Sequence, residues 1–291
     1  MGRRDEAAAE PVASTAKQPS NFVQRLLTAV VLVPLLVVSI FVDPSSWSIL
    51  AVAILAVFFA GDEFLRMGIV REGDRAIGLR GAFAVAGAAI MASNTIWGTR
   101  VAMAPAMFAA VVLVSLAVLL RKKFLPDAGR HFAIGLAGLA YVPMLACVWP
   151  VLKHEHGPEW LCMALTVAFL SDTGAYFAGR AFGKHKLYEA VSPKKTVEGS
   201  AGGVIAGVAS MVGAGHYWLT PEVPLVHAIV LGLLGSALGQ VGDLIASMLK
   251  RTFGVKDSGN ILPGHGGLLD RVDGLLFVAP LLYYYAAVFL P

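Results

Sequence analysis

The chain has 291 residues, 57% of them hydrophobic and only 14% charged, with a mean hydropathy of +0.72. A water-soluble domain carries about 45–50% apolar and about 25% charged residues, so this composition excludes one and specifies a polytopic membrane protein. The net charge of +4 does not signal nucleic acid, because the basic residues flank apolar segments instead of covering a polar domain.

Residues 1–23 form a polar arm containing Ala, Ser and Pro and are expected to be disordered on the cytoplasmic side. The apolar segment after it lacks a small-residue cleavage site, which makes it a retained membrane helix and not a signal peptide. A spanning helix needs about 20 mostly apolar residues. Segments of this kind run approximately over 26–42, 47–65, 77–93, 102–120, 132–151, 160–180, 197–218, 225–248 and 274–290. The expected fold is all-α, with about nine transmembrane helices. Spans one to five occupy residues 24–155, and spans six to nine form a C-terminal catalytic region over 156–291. Gly199, Gly203 and Gly207 recur every four residues in span seven, a spacing that lets helix backbones approach closely. Cys147 and Cys162 both lie in apolar runs and read as small buried hydrophobes.

With the N-terminus in the cytoplasm, 21 of the 23 Lys and Arg residues fall on the cytoplasmic side. Only Arg100 and Lys153 fall on the other. A wrong span count would scramble this asymmetry. The expected location is therefore the cell (inner) membrane, with the basic loops facing anionic headgroups.

Two cytoplasmic loops carry more than a topology signal. Span eight ends in Gln240, Asp243, Ser247 and Lys250, spaced to share one helix face. An acid at such a depth is costly, about 2.5–3.5 kcal/mol on insertion scales, and points to a metal or substrate site. Arg251, Lys256 and Asp257 follow, then the turn Pro263-Gly264-His265-Gly266-Gly267, whose glycines can turn backbone N–H groups toward an anion. Asp270, Arg271 and Asp273 come next, with the two carboxylates on one face of a starting helix. Paired carboxylates without Cys or convergent His favour Mg²⁺ over zinc. His265 reads equally as a base or as a loop anchor.

Upstream, Asp172, Tyr176 and Arg180 share a face of span six. Ser192, Lys194, Lys195, Thr196 and Glu198 lead into span seven, so a helix N-terminus with hydroxyls and lysines offers a phosphate cradle. Asp62-Glu63 near the end of span two is a third acidic spot. The chain contains no P-loop, no G-x-G-x-x-G after a strand and no H-E-x-x-H.

The stretch from Ser247 to Asp273, S-x-x-K-R-x4-K-D-x5-P-x-H-G-G-x2-D-R-x-D, resembles the signature of the phosphatidate cytidylyltransferases, the CDP-diacylglycerol synthases. The likeness extends to DTGAYFAGRAFGKHKL and SPKKTVEG upstream, whereas the first five spans are similar only in hydrophobicity and number. The resemblance implies transfer from CTP to phosphatidate with release of pyrophosphate, Mg²⁺ and a possible second cation as cofactors, and a homodimer in the lipid bilayer. It implies Asp243, Asp270 and Asp273 as metal carboxylates, acting with Lys250 and Arg271 in catalysis. Asp172, Arg180, Ser192, Lys194, Lys195, Thr196, Ser247, Arg251, Lys256, Asp257, His265, Gly266 and Gly267 would hold substrate. A cation-coupled transporter using Asp172 and Asp243 is the competing reading. It leaves the one-sided Lys/Arg/Gly loop unexplained, and the two halves show no inverted repeat.

Overall fold

A computed structural model describes residues 21–69, 75–219, 223–262, 264 and 266–289. The arm proposed for residues 1–23 lies almost wholly outside the described residues, as does His265. The helices are α1 (Asn21–Val37), α2 (Trp47–Ile69), α3 (Ile77–Trp97), α4 (Thr99–Leu119), α5 (Ala128–Tyr141) and α6 (Pro143–Ala146). They continue with α7 (Val148–His156), α8 (Pro158–Phe182), α9 (Val197–Ser210), α10 (Leu225–Thr252), α11 (Leu269–Val272) and α12 (Leu275–Phe289). Wider helical turns extend α1 over Val38–Val42 and α9 over Met211–Leu219.

Among the described residues, seven helical segments are long and apolar enough to cross a membrane. Two shorter apolar ones, Thr28–Val42 and Leu275–Phe289, occupy the first and last expected spans. The expected fifth span is three helices in series. Pro143 lacks an amide hydrogen and disfavours helical backbone at Val142, so the helix breaks there, and again at Cys147.

The expected loop between spans six and seven is an antiparallel hairpin of β1 (Lys186–Tyr188) and β2 (Ser192–Thr196). It is fastened at the base by Glu198. Its Oε2 accepts from the amides of Lys184 at 3.0 Å and His185 at 3.2 Å, and its Oε1 lies 2.6 Å from His185 Nδ1. His185 is thereby committed to the hairpin base.

The glycine stripe of α9 holds the C-terminal helices together. Gly199, Gly203 and Gly207 are all buried. A Cβ at Gly203 would lie 2.9 Å from both the Ser171 carbonyl of α8 and Gln240 Nε2 of α10. The backbones approach this closely because nothing stands between them. α8, α9 and α10 therefore form one block, and α12 packs against α8 and α10.

The two basic residues that break the charge asymmetry are each bonded at a helix C-terminus. Arg100 Nη2 donates to the Ala287 carbonyl at 3.1 Å, and buried Lys153 Nζ donates to those of Ser39 at 2.6 Å and Asp43 at 2.5 Å. Carbonyls in the last helical turn lack intrahelical donors, and cations there also meet the negative end of the helix dipole.

Gly203→Leu should wedge α9 away from α8 and α10 at once. Overpacking costs roughly 1–3 kcal/mol, or more where backbone must move. Detergent-purified protein should show a clear fall in Tm. A wild-type Tm would show that α9 does not pack through this stripe.

Candidate active site

Between α8, α9, α10 and the hairpin lies a cavity of about 480 Å³. Asp172, Tyr176 and Arg180 enter it from α8 on successive turns, as their spacing requires. Lys194, Lys195 and Thr196 enter from β2, and Ser200, Gln240 and Asp243 from α9 and α10. One pair of opposing charges is already matched, and one cation has a hydroxyl acceptor. Lys195 Nζ forms an ion pair with Asp243 Oδ2, and Arg180 Nη1 donates to the Tyr176 hydroxyl at 3.3 Å. Gln240 is held by Ser200 through both ends of its amide.

Thr196 is committed elsewhere. It is the N-cap of α9, and its Oγ1 accepts from the Gly199 amide at 3.1 Å, so this hydroxyl serves its own helix before any phosphate. Ser192 opens β2 opposite Tyr188 and does not line the cavity.

The polar face of α10 splits by depth. Gln240 and Asp243 line the cavity, and buried Ser247 donates to Asp243 Oδ1 at 3.4 Å. Lys250, two turns beyond Asp243, pairs with Asp270 Oδ1 at 2.5 Å. The other Asp270 oxygen accepts from the Ser258 amide and hydroxyl, both at 3.0 Å. Asp270 is therefore fully engaged. Arg251 is likewise used locally, donating to the Val191 carbonyl of the hairpin at 3.4 Å and to Val255 at 3.1 Å. Lys256 and Asp257 are exposed on the following bend.

Asp273 is buried in the turn between α11 and α12, and Gly242 explains why it sits beside Asp243. A Cβ at Gly242 would overlap the Asp273 carbonyl, so only glycine lets α10 pass against that turn. Asp273 Oδ1 accepts from the Gly274 amide at 2.8 Å. Burial, and then the charge of Asp243, push its carboxyl up to about 8. Asp172 adds to the same repulsion, and the charge of Arg271 reaches Asp172. The carboxylates that interact are thus Asp172, Asp243 and Asp273, while Asp270 is held by Lys250, whose charge also reaches Asp273.

Among the described residues, no three Asp, Glu, His or Cys side chains converge closely enough to hold a metal ion by themselves. Mg²⁺ needs only one or two protein carboxylates and completes its shell with water and phosphate oxygens. The all-oxygen donors and the mutual repulsion at Asp243 and Asp273 fit such an ion.

In the signature loop, Gly266 adopts φ +82°, a conformation that favours glycine, and exchanges backbone hydrogen bonds with Leu262 at 3.0 and 3.1 Å. Gly267 is buried against Ser258 and Glu63. Of the acidic pair near the end of α2, Asp62 pairs with Arg66 and Arg80. Glu63 turns into the signature loop. The sequence pattern marks that pair as acidic but carries no sign of where either residue points.

The cytidylyltransferase family model matches residues 23–289, nearly the whole chain. The chain belongs to the cytidylyltransferase family. Three relatives, each named phosphatidate cytidylyltransferase, show the extent of the similarity. The protein from Bacillus subtilis (strain 168) is 40% identical over 190 residues, covering 63% of this chain and 68% of its own. That from Staphylococcus saprophyticus is 40% identical over 171 residues, 59% of this chain and 64% of its own. That from Staphylococcus haemolyticus is 37% identical over 186 residues, 64% of this chain and 70% of its own. The match to the cytidylyltransferase family extends into the N-terminal spans, where the motifs give no likeness.

The raised Asp273 carboxyl has a measurable consequence. An unfolded Asp titrates near about 3.9, whereas the folded carboxyl titrates at about 8. Between these values the folded protein keeps a proton that the unfolded chain has lost, so stability falls as pH rises across the window. Asp273→Asn carries no such proton. In chelator-treated protein, its Tm advantage over wild type should widen from about pH 4 to about pH 8 and then flatten. A difference independent of pH would show that Asp273 ionises normally.

Proposed function

We propose that this chain is a phosphatidate cytidylyltransferase, making CDP-diacylglycerol and pyrophosphate from CTP and phosphatidate at the cytoplasmic face of the membrane. The observation that carries this reading is the cavity, where Lys194, Lys195 and Arg180 face Asp172 and Asp243 in a cytidylyltransferase fold. Cations and acids both line it, as substrates with several phosphates and a counter-ion require.

In the reaction, a phosphate oxygen of phosphatidate bonds to the α-phosphorus of CTP while the bond from that phosphorus to the bridging oxygen breaks. Pyrophosphate leaves with the bonding electrons. A phosphate monoester is already largely ionised near neutral pH, so no strong base is needed. The work left to the protein is alignment and charge neutralisation. Lys195 is suited to both, since on leaving Asp243 it can follow a phosphate oxygen within the same cavity. Lys194 and Arg180 bring further positive charge to the cavity. Lys250, held on Asp270, stands ready for the developing pyrophosphate. Mg²⁺ would be held at Asp243 and Asp273, with Asp270 nearby, and when bound it would neutralise phosphate charge.

The decisive experiment incubates purified protein with labelled CTP, phosphatidate and Mg²⁺ and measures label in the lipid fraction. Labelled lipid is expected only when all three are present, and its absence overturns the reading. Lys195→Ala removes a charge-assisted contact worth about 1.5–3 kcal/mol. It should raise the KM for CTP or phosphatidate by roughly 10- to 100-fold, with a fall in kcat if the contact tightens in the transition state. Unchanged kinetics for both Lys194→Ala and Lys195→Ala would reduce the pair to a topology signal.

The charge asymmetry supports a cytoplasmic N-terminus and signature loop. In a Cys-free background, a cysteine at Gly266 should resist an impermeant thiol reagent in intact cells and react after lysis. Labelling of intact cells would reverse the orientation.

A further inference from the structure

Glu63 lies on α2, about two hundred residues before the signature loop, and is 3% exposed. Its carboxylate is filled by donors from that loop. Oε1 accepts from the Leu268 amide at 3.0 Å, and Oε2 from the Leu269 amide at 2.9 Å and the Ser258 hydroxyl at 3.0 Å. Those two amides open α11, the short helix that carries Asp270. Leu268, at the cap position of α11, makes no side-chain capping bond. Glu63 supplies from a distant helix the cap that the local chain lacks.

The contacts continue inward. Ser258 Oγ also lies 3.0 Å from Asp270 Oδ2, so its single proton is shared between two carboxylates. Asp270 in turn holds Lys250. Glu63, Ser258, Asp270 and Lys250 form one chain of polar contacts across α2, the loop, α11 and α10. The backbone is shaped to it. A Cβ at Gly259 would collide with the Glu63 carboxylate, and one at Gly267 would lie 2.9 Å from its Oε2.

We infer that Glu63 is a positioning residue of the transfer site, fixing Asp270 and Lys250 through the α11 amides and Ser258. The inference rests on the reading above, in which Lys250 serves the substrate phosphates. Glu63 itself touches no reacting group. A carboxylate is required because it only accepts. An amide would turn one NH₂ toward these donors and leave at least one of them unpaired.

The test uses full-length protein in detergent, comparing wild type with Glu63→Gln, Ser258→Ala and the double variant. Four quantities are read: kcat and KM for CTP, Tm, and the rate of tryptic cleavage after exposed Lys256. Glu63→Gln should lower kcat on the order of 10- to 100-fold with KM within about threefold, and should speed cleavage. Ser258→Ala should lower kcat in the same manner, and the double variant should lose no more than Glu63→Gln alone, since both act through Asp270. Wild-type kcat in Glu63→Gln overturns the inference. So does a lowered Tm with full turnover in the folded fraction, which is a purely structural role, and so do additive losses. Should Glu63→Gln fail to fold, Ser258→Ala decides by its kcat. Should wild-type protein make no labelled lipid, the proposed reaction fails instead. Cleavage after Lys256 then still decides whether Glu63 anchors the loop, faster cleavage in Glu63→Gln supporting it and an unchanged rate overturning it.

Discussion

An ionised carboxylate inside an apolar helical bundle must find a cation or a set of hydrogen-bond donors, because the surroundings solvate it poorly. The arrangement of this protein follows from how each acid near the loop end meets that demand. Asp243 takes Lys195 from the hairpin, Asp270 takes Lys250 and Ser258, and Glu63 takes the amides of α11. Asp273 receives one amide bond and no ion pair among the described residues, which is why burial moves it toward its protonated form. The acids with cationic partners are therefore poised to exchange them, and Asp273 is poised to gain one.

Packing without side chains makes those pairings reachable. The bare faces at Gly203 and Gly242 bring α8, α9, α10 and the α11–α12 turn within contact distance. Larger residues there would separate Asp172 from Asp243 and Asp243 from Asp273 by the width of a side chain. The same small residues that are unremarkable as membrane packing thus set the electrostatics of the cavity. A close-packed block of this kind suits a reaction that depends on alignment more than on an activated base.

The opposite end of the bundle solves a different problem with similar means. Arg100 and Lys153 lie away from the basic loops, and each donates to carbonyls at a helix end. Lys153 is buried in doing so, joining α7 to the end of the first apolar segment. Cations at this end tie helices together, whereas Arg180, Lys194 and Lys195 at the loop end line a cavity.

The sequence alone determined the apolar segments, the one-sided distribution of basic residues and the signature from Ser247 to Asp273. It also determined which residues share a helix face, as with Asp172, Tyr176 and Arg180, because helical periodicity is a local property. The hairpin at 186–196 was not legible, since its strands are short, polar and lack an alternating pattern. Nor was the partition of the aspartates, in which Asp270 is engaged by Lys250 while Asp172 joins Asp243 and Asp273. Glu63 shows the reason most clearly. Its acidity was visible, but its partners lie 195 to 206 residues away. Such contacts are fixed by the register between helices, which close packing of small residues sets and no local pattern encodes.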